Sequence, residues 1–229
     1  MRKPVVRIVL VLSVLTLAGI VALAAAGRHG IVTSQDGRMA IASHGPSHVT
    51  PSREPGADGL TLIAGNLSKY PYGTYFCCYG YTITGPQGFL GYAVWVAVPF
   101  TPTTTMTAKK IQVSVGYVEG PNGVTLSLNA DSGGLPGAAI ATANVTNLSD
   151  YGDCCTLATA QGGSGVTVNA GTQYWVVVST GSTTTTTFDA WAFNSTDMRE
   201  TYAFASYNSS SGGWAASEGL LPGYAVYGQ

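Results

Sequence analysis

The stretch IQVSVGYVEGPNGVTLSLN, residues 111–129, consists of two runs of alternating apolar and polar or small residues, joined by a Pro-Asn-Gly loop. The alternating apolar residues are Ile111, Val113, Val115 and Tyr117 before the loop and Val124, Leu126 and Leu128 after it. Because successive side chains of a strand point to opposite faces, each run predicts a strand with one buried face. The loop predicts that the two strands pair as a hairpin.

Segments on both sides of this stretch predict further strands. Residues 92–98 and 174–178 are apolar almost throughout, as expected for central strands covered on both faces. Residues 131–137 and 169–171 are rich in turn formers, and Asp131 is expected to accept an Asx-type hydrogen bond within its own turn. No window has the period of an amphipathic helix. The sequence therefore predicts an all-β domain, an antiparallel β-sandwich for which jelly-roll connections are one available topology.

The first 26 residues predict export. Arg2, Lys3 and Arg7 form a basic start, and residues 8–26 are apolar, uncharged and end in small residues. This pattern is typical of a signal peptide, with cleavage expected near Gly27. The apolar run also approaches the roughly 20 residues that span a bilayer, so an uncleaved N-terminal anchor is the alternative. In both cases the rest of the chain is expected outside the cytoplasm, secreted or at the cell surface.

Residues 27–58 differ in composition from the rest of the chain. They contain all three histidines, His29, His44 and His48, together with several prolines and glycines, and no aromatic residue. Such a segment predicts a flexible linker. The spacing of the histidines fits no common metal-ligand pattern. The β domain is therefore expected to span residues 59–229.

Charge and histidine content limit what residues 59–229 can do. Four basic residues stand against eight acidic ones, a formal net charge of −4, whereas nucleic-acid binding needs clustered lysine and arginine. Without histidine this domain cannot form a Ser-His-Asp or Cys-His catalytic group, and zinc lacks its usual imidazole ligands. We therefore expect a non-catalytic protein with no metal, no cofactor and no nucleic-acid partner. A glycosidase-type pair of carboxylates remains open, from Asp189, Asp197, Glu200 and Glu218.

The four cysteines form two adjacent pairs, Cys77-Cys78 and Cys154-Cys155. In an exported protein they are disulfide candidates. A bond within each pair makes a strained ring, because adjacent Cα atoms are about 3.8 Å apart and ordinary disulfides place them about 4.4 to 6.8 Å apart. Bonds between the pairs would instead close a long loop, with about 4 kcal/mol of stabilisation from the first bond. Each pair has its own Tyr-Gly neighbour, which favours two vicinal rings, and the cross-linked arrangement stays open.

The first cysteine pair lies in an aromatic segment, residues 69–83. Five tyrosines within it fall between positions 70 and 81, and so many are hard to bury together. An exposed aromatic surface is a plausible binding surface, to which a pyranose ring can present its apolar face. The candidate ligand-binding residues are Tyr70, Tyr72, Tyr75, Tyr79, Tyr151, Trp191 and Trp214.

A family resemblance rests on VSVGYVEGPNGVTLSLNADSGGLPGAAIATANV, the second cysteine pair, VTVNAGTQYWVVVSTG and the tryptophan-containing segment that follows. These residues resemble bacterial exported proteins of the choice-of-anchor type, in particular the choice-of-anchor R domains. The resemblance covers roughly residues 94–214 and implies a β-sandwich module joined to a surface anchor. The final residues GYAVYGQ carry no apolar tail, so membrane contact is expected only through the N-terminal segment.

Together these features predict an extracellular or surface-tethered, non-catalytic module. Its expected partner is a polysaccharide or another component of the cell envelope. A structural or adhesive protein that assembles through strand edges is the first alternative. A polysaccharide-acting enzyme is the second.

Overall fold

The computed structural model describes residues 31–33, 38–42, 49–51, 58–67, 72–180, 186–206 and 213–229. The predicted signal peptide, residues 1–26, lies outside these ranges. The described residues form fifteen strands. They contain no helix, and hence none long and apolar enough to cross a membrane. In chain order the strands are β1 (Ile31–Thr33), β2 (Met39–Ala42), β3 (Thr61–Gly65), β4 (Tyr75–Thr84), β5 (Val94–Phe100), β6 (Met106–Val113), β7 (Val115–Glu119), β8 (Gly123–Asp131), β9 (Pro136–Thr146), β10 (Ala158–Val168), β11 (Tyr174–Ser179), β12 (Phe188–Asn194), β13 (Arg199–Ser206), β14 (Gly213–Leu220) and β15 (Tyr224–Gly228).

These strands form two antiparallel sheets. The large sheet has eleven strands, with the path β1-β2-β4-β5-β11-β8-β9; β12 and β7 branch from β4, and β13 and β14 branch from β5. The small sheet has the order β10-β6-β15-β3. Apolar side chains of both sheets meet in one core, where Leu126 and Val176 of the large sheet join Val113 and Val226 of the small one. The prediction of an all-β antiparallel sandwich is confirmed.

The two apolar runs are the central strands β5 and β11, which pair with each other in the large sheet. On one face, Val176 and Val178 of β11 pack in the main core. On the other face, Trp175 and Val177 are buried together with Ala97 of β5. Burial on both faces explains why these strands lack polar alternation, and it confirms the prediction.

The hairpin predicted over residues 111–129 is wrong, although the strands themselves form. The first run is divided at Ser114 into β6 and β7, and the second run is β8. β7 pairs with β12, whereas β8 is held between β9 and β11. Both edges of β8 are therefore occupied by other strands. The Pro-Asn-Gly loop connects two parts of the large sheet that do not pair with each other.

The turn after β8 agrees with its prediction. The backbone N–H of Gly134 donates a hydrogen bond to Asp131 Oδ2 at 3.0 Å. Asp131 Oδ1 accepts hydrogen bonds from Trp175 Nε1 and Gln173 Nε2, each at 2.8 Å. The bond from Trp175, followed by that from Gly134, holds the pKa of Asp131 below its ordinary value. One exposed carboxylate thus links this turn to the central strand β11.

The β-structure begins before the predicted boundary at residue 59. β1 and β2 lie within residues 27–58, which the composition predicts to be a linker. β2 pairs with β4, and its Ala40 and Ala42 are buried. Such short strands of small and β-branched residues gain their stability from the sheet on which they pack. They therefore leave little signal in composition.

Asp189 of β12 is fully buried. Its Oδ1 accepts a hydrogen bond from the backbone N–H of Val118 at 3.3 Å, whereas its Oδ2 has no hydrogen-bond partner within the described ranges. Burial raises the pKa of this carboxyl well above its ordinary value, and the Val118 bond offsets part of that effect. The folded protein therefore holds a proton on Asp189 at pH values where the unfolded chain has lost it.

We predict that Asp189→Asn stabilises the protein at neutral pH. Because the folded pKa is raised, the contribution of Asp189 to stability is fully present below its ordinary pKa of 3.8 and is lost as the pH rises toward the folded pKa. The loss is about 1.4 kcal/mol per pH unit within that window. The amide cannot ionise, so the variant avoids this loss. Urea denaturation of both proteins between about pH 4 and pH 8 measures the difference.

Asp197→Asn is the matched control. The Asp197 side chain is 79% exposed and lies 3.0 Å from Arg199 Nε. Losing such an exposed carboxylate is expected to change stability little and to leave its pH dependence as it was. Equal pH dependence in Asp189→Asn and the unsubstituted protein would show that the buried carboxyl is not protonated in the fold.

Candidate functional site

The segment with the first cysteine pair packs against the loop that carries the second. The backbone N–H of Gly73 donates a hydrogen bond to Cys155 Sγ at 3.4 Å. Cys77 Sγ lies 2.8 Å from the carbonyl oxygen of Gly152. The two pairs, far apart in the sequence, therefore belong to one cluster in the fold.

Cys154 and Cys155 are both buried. Their sulfur atoms are in bonding contact, and the peptide bond between them is cis. The backbone of this pair also exchanges hydrogen bonds with Thr50, from Thr50 N–H to the Cys154 carbonyl and from Cys155 N–H to the Thr50 carbonyl. The sulfur atoms of the second pair thus contact each other within the pair, as the vicinal arrangement predicts. The Cys78 side chain lies outside the described part of the structure, so a ring at the first pair stays a prediction.

Tyr75 and Tyr151 brace this cluster from inside. Tyr75 is 8% exposed, and its hydroxyl lies 3.0 and 3.3 Å from the carbonyl oxygens of Asp153 and Thr156. Tyr151 is 3% exposed, and its hydroxyl donates to the carbonyl of Ala40 at 3.1 Å. Both hydroxyls are used within the fold, as is usual for buried tyrosine. The prediction that Tyr75 and Tyr151 lie on an exposed ligand-binding surface is therefore wrong.

Three aromatic side chains of the same segment are exposed. Tyr72 is 60% exposed, Phe76 is 51% exposed and Tyr79 is 41% exposed. The rings of Phe76 and Tyr79 have centroids 5.5 Å apart and planes tilted by 34°. We call Phe76 and Tyr79 the aromatic patch, with Tyr72 on the loop that precedes it.

A bulge in β4 brings the two rings of the aromatic patch together. In the pairing of β4 with β12, the register passes from Gly80 opposite Ala192 to Phe76 opposite Phe193. Residues 77–79, which include the first cysteine pair, are therefore extra residues on the β4 side. The sequence does not single out Phe76, because a phenylalanine in a strand is more often buried than exposed. Only the bulge shows that it lies beside Tyr79.

The loop before the aromatic patch is held on both sides of Gly73. This residue has φ of 80°, in the left-handed region that favours glycine. Its N–H bonds to Cys155 Sγ, and its carbonyl accepts a hydrogen bond from Ser195 Oγ at 2.7 Å. The backbone that carries Tyr72 is thus fixed to the cysteine cluster and to the chain after β12.

The remaining aromatic candidates do not join the aromatic patch. Trp191 is fully buried, and its Nε1 donates a hydrogen bond to the Gly223 carbonyl at 2.8 Å, so its prediction as a ligand-binding residue is wrong. Trp214 is half-buried and packs against the separate cluster around Trp175. Tyr70 lies outside the described residues.

The carboxylates considered for a glycosidase are separated. Asp189 is inside the fold, and Asp197 pairs with Arg199. Glu200 and Glu218 border one open cleft, but Glu200 pairs with Gly219 and Glu218 with Thr201 in the β13–β14 ladder. Adjacent positions of a strand point to opposite faces, so this register directs the two side chains apart. Within the described ranges, no three His, Cys, Asp or Glu side chains are grouped as around a metal ion.

Comparisons with protein-family models, with curated proteins and with solved structures found no match to this chain. The resemblance to choice-of-anchor R domains therefore stays a prediction. Because a fold by itself does not define a function, the function is argued below from the site.

We predict that the exported protein has no reactive thiol and that each cysteine pair is closed on itself. Trypsin cleaves after Lys69, Lys109, Lys110 and Arg199, which places the first pair and the second pair in different peptides. Mass spectrometry of a non-reduced digest is expected to show each peptide alone, two hydrogens lighter than its dithiol form. A species that joins the two peptides would instead establish the cross-linked arrangement.

Proposed function

We propose that this protein is an extracellular or surface-tethered, non-catalytic module that binds carbohydrate, or a similar envelope component, through the aromatic patch. The observation that supports this best is the pair of neighbouring exposed rings, Phe76 and Tyr79, on a bulge of β4. Exposed aromatic rings that lie side by side are costly in water unless a partner covers them.

The chemistry of the aromatic patch suits a sugar. A pyranose ring has an apolar face of C–H groups, which can lie on an aromatic ring, and a rim of hydroxyl groups. Tyr79 adds a phenolic hydroxyl that can donate or accept a hydrogen bond at that rim. Tyr72, also exposed, offers a further ring for a longer glycan chain.

The fixed backbone beneath the aromatic patch favours binding. The bonds of Gly73 to Cys155 and Ser195, and the contact of Cys77 with Gly152, hold this segment before any ligand arrives. A site that is already ordered loses less conformational entropy on binding than a mobile loop does. We therefore expect the cysteine cluster to hold the backbone of the aromatic patch in place rather than to contact the ligand.

We predict that Phe76→Ala and Tyr79→Ala each weaken glycan binding by about 5- to 30-fold, because each ring supplies about 1 to 2 kcal/mol through buried apolar area. Binding by the unsubstituted protein is expected in the micromolar to millimolar range. A glycan array identifies the polysaccharide, and calorimetry on that polysaccharide measures the affinity of each variant.

Leu62→Ala is the matched control. Leu62 lies on β3 of the small sheet and is 49% exposed, close to the exposure of Phe76. Its removal is expected to leave glycan affinity unchanged. If no polysaccharide binds at millimolar concentration, or if the control weakens binding as much as Phe76→Ala does, the proposal is wrong.

A second candidate function, assembly through a strand edge, is favoured by β9. This strand ends the path of the large sheet and pairs only with β8 among the described strands. Its sequence PGAAIATANVT has eleven residues without a charge, and Ile140 is 39% exposed. Long, uncharged edge strands are templates for pairing with another chain.

We predict for this second candidate that the protein self-associates with rising concentration and that Ile140→Lys reduces this association. A lysine on an edge strand opposes pairing because it brings charge to the contact. Sedimentation velocity over a concentration series measures the change. A protein that stays monomeric throughout the series would remove this candidate without affecting the aromatic patch.

A further inference from the structure

The two sheets of the sandwich do not close along one side. β9 ends the path of the large sheet, β10 ends the small sheet, and a cleft of about 470 Å³ lies between them. This volume is within the range of small-molecule sites. We call it the side cleft; its wall is formed by residues of β6, β8, β9 and β10, among them Lys109, Ile111, Leu126, Leu128, Ala141, Ala143, Ala160 and Val166.

Small residues keep the side cleft open. Ala143 and Ala141 of β9 pair with Leu126 and Leu128 of β8, which belong to the core, so the two alanines share the inward face. Ala160 of β10 lies across from them on the small sheet. Larger side chains at these positions would fill the gap between the sheets. The side cleft therefore exists because the two edge strands carry small side chains at these positions.

A glycine-rich bulge shapes the opposite wall. In the pairing of β10 with β6, the register passes from Gln161 opposite Lys110 to Val166 opposite Ala108. Gly165 in this bulge has φ of 81°, and a Cβ there would lie 2.6 Å from the carbonyl oxygen of Ala108. Glycine is therefore required for the strand to widen at this point.

Two lysines line this largely apolar wall. Lys109 lies two positions before Ile111 on β6, so the two share a face, and both line the side cleft. Lys109 has no ion-pair partner among the described residues, and no aspartate or glutamate lines the cleft. The neighbouring Lys110 also borders it, but its Nζ already pairs with Asp58 at 2.7 Å.

We propose that the side cleft binds a single-chain aliphatic carboxylate, with the alkyl chain between the sheets and the carboxylate on Lys109 Nζ. The apolar wall supplies the driving force for the chain, because apolar area is removed from water on both surfaces. An ammonium group of a partly buried lysine supplies a charge-assisted hydrogen bond that selects an anionic head. This site is separate from the aromatic patch and does not rest on the carbohydrate proposal.

The test uses the full chain with dodecanoate, below its micelle concentration, and with dodecanol as its uncharged analogue. Calorimetry is expected to show that dodecanoate binds one site and binds more tightly than dodecanol. Lys109→Met keeps the length of the side chain without its charge, and it is expected to weaken dodecanoate binding about tenfold or more while leaving dodecanol binding nearly unchanged. Equal weakening of both ligands, or of neither, would overturn the role of Lys109.

A second pair of variants tests the location. Ala143→Leu fills the side cleft and is expected to abolish dodecanoate binding. Ala138→Leu makes the same substitution at an exposed position of β9 outside the cleft, and it is expected to bind as the unsubstituted protein does. Should Ala143→Leu fail to fold, Ala141→Leu takes its place, with thermal unfolding as the check on both.

Three further results would decide against the proposal. Dodecanoate binding that survives the filling variant would place the ligand elsewhere on the protein. Binding that is lost in Phe76→Ala, but not in Ala143→Leu, would place it on the aromatic patch. If dodecanoate does not bind at all while the protein self-associates and Ala143→Leu prevents this, then another copy of the chain covers the cleft, and the carboxylate proposal is wrong.

Discussion

The joint between the two sheets depends on hydrogen bonds around Ser114. Its Oγ lies 2.7 Å from the carbonyl oxygen of Ala192 and 3.1 Å from that of Gly223, and Trp191 Nε1 donates to the same Gly223 carbonyl. A Cβ on Gly223 would lie 2.6 Å from Ser114 Oγ, so a side chain there would push the joint apart. Because buried backbone groups must be paired, this joint sets where β6 ends and β7 begins.

The cysteine cluster and the aromatic patch are consequences of this arrangement. β12 contains Trp191 and Ala192 of this joint, and it pairs with β4. The bulge of β4 contains the first cysteine pair and turns Phe76 and Tyr79 outward. The inward-facing Tyr75 reaches the loop of the second pair. Both cysteine pairs therefore lie where two irregular stretches of backbone, the β4 bulge and the loop of the second pair, pack together. The exposed rings of Phe76 and Tyr79 lie on the outer side of this contact.

The two proposed binding surfaces use different physical means. The aromatic patch offers ring faces on an already ordered segment, which suits a ligand with an apolar face and a polar rim. The side cleft offers space between edge strands with small side chains and one lysine without a counter-ion among the described residues, which suits a chain with a charged end. Both lie where a regular sheet is interrupted, by a bulge in β4 and by the open side between β9 and β10. Interruptions expose groups that a continuous sheet would bury.

The sequence by itself determined the all-β class, the central strands and one turn, because each follows from a local pattern. These patterns are the alternation of apolar residues, the unbroken apolar run at 174–178, and Asp131, whose side chain accepts a hydrogen bond from the Gly134 N–H of the same turn. Tertiary structure alone decided strand partners and which aromatics are exposed. The Pro-Asn-Gly loop after β7 predicts a hairpin turn, yet β8 pairs along its length with β9 on one side and β11 on the other. Tyr75 and Phe76 are neighbours in β4 and therefore point to opposite faces. Which of the two is buried depends on packing against a loop about eighty residues away, where the Tyr75 hydroxyl meets the Thr156 carbonyl. Local sequence specifies how a segment folds, whereas long-range packing decides what it touches.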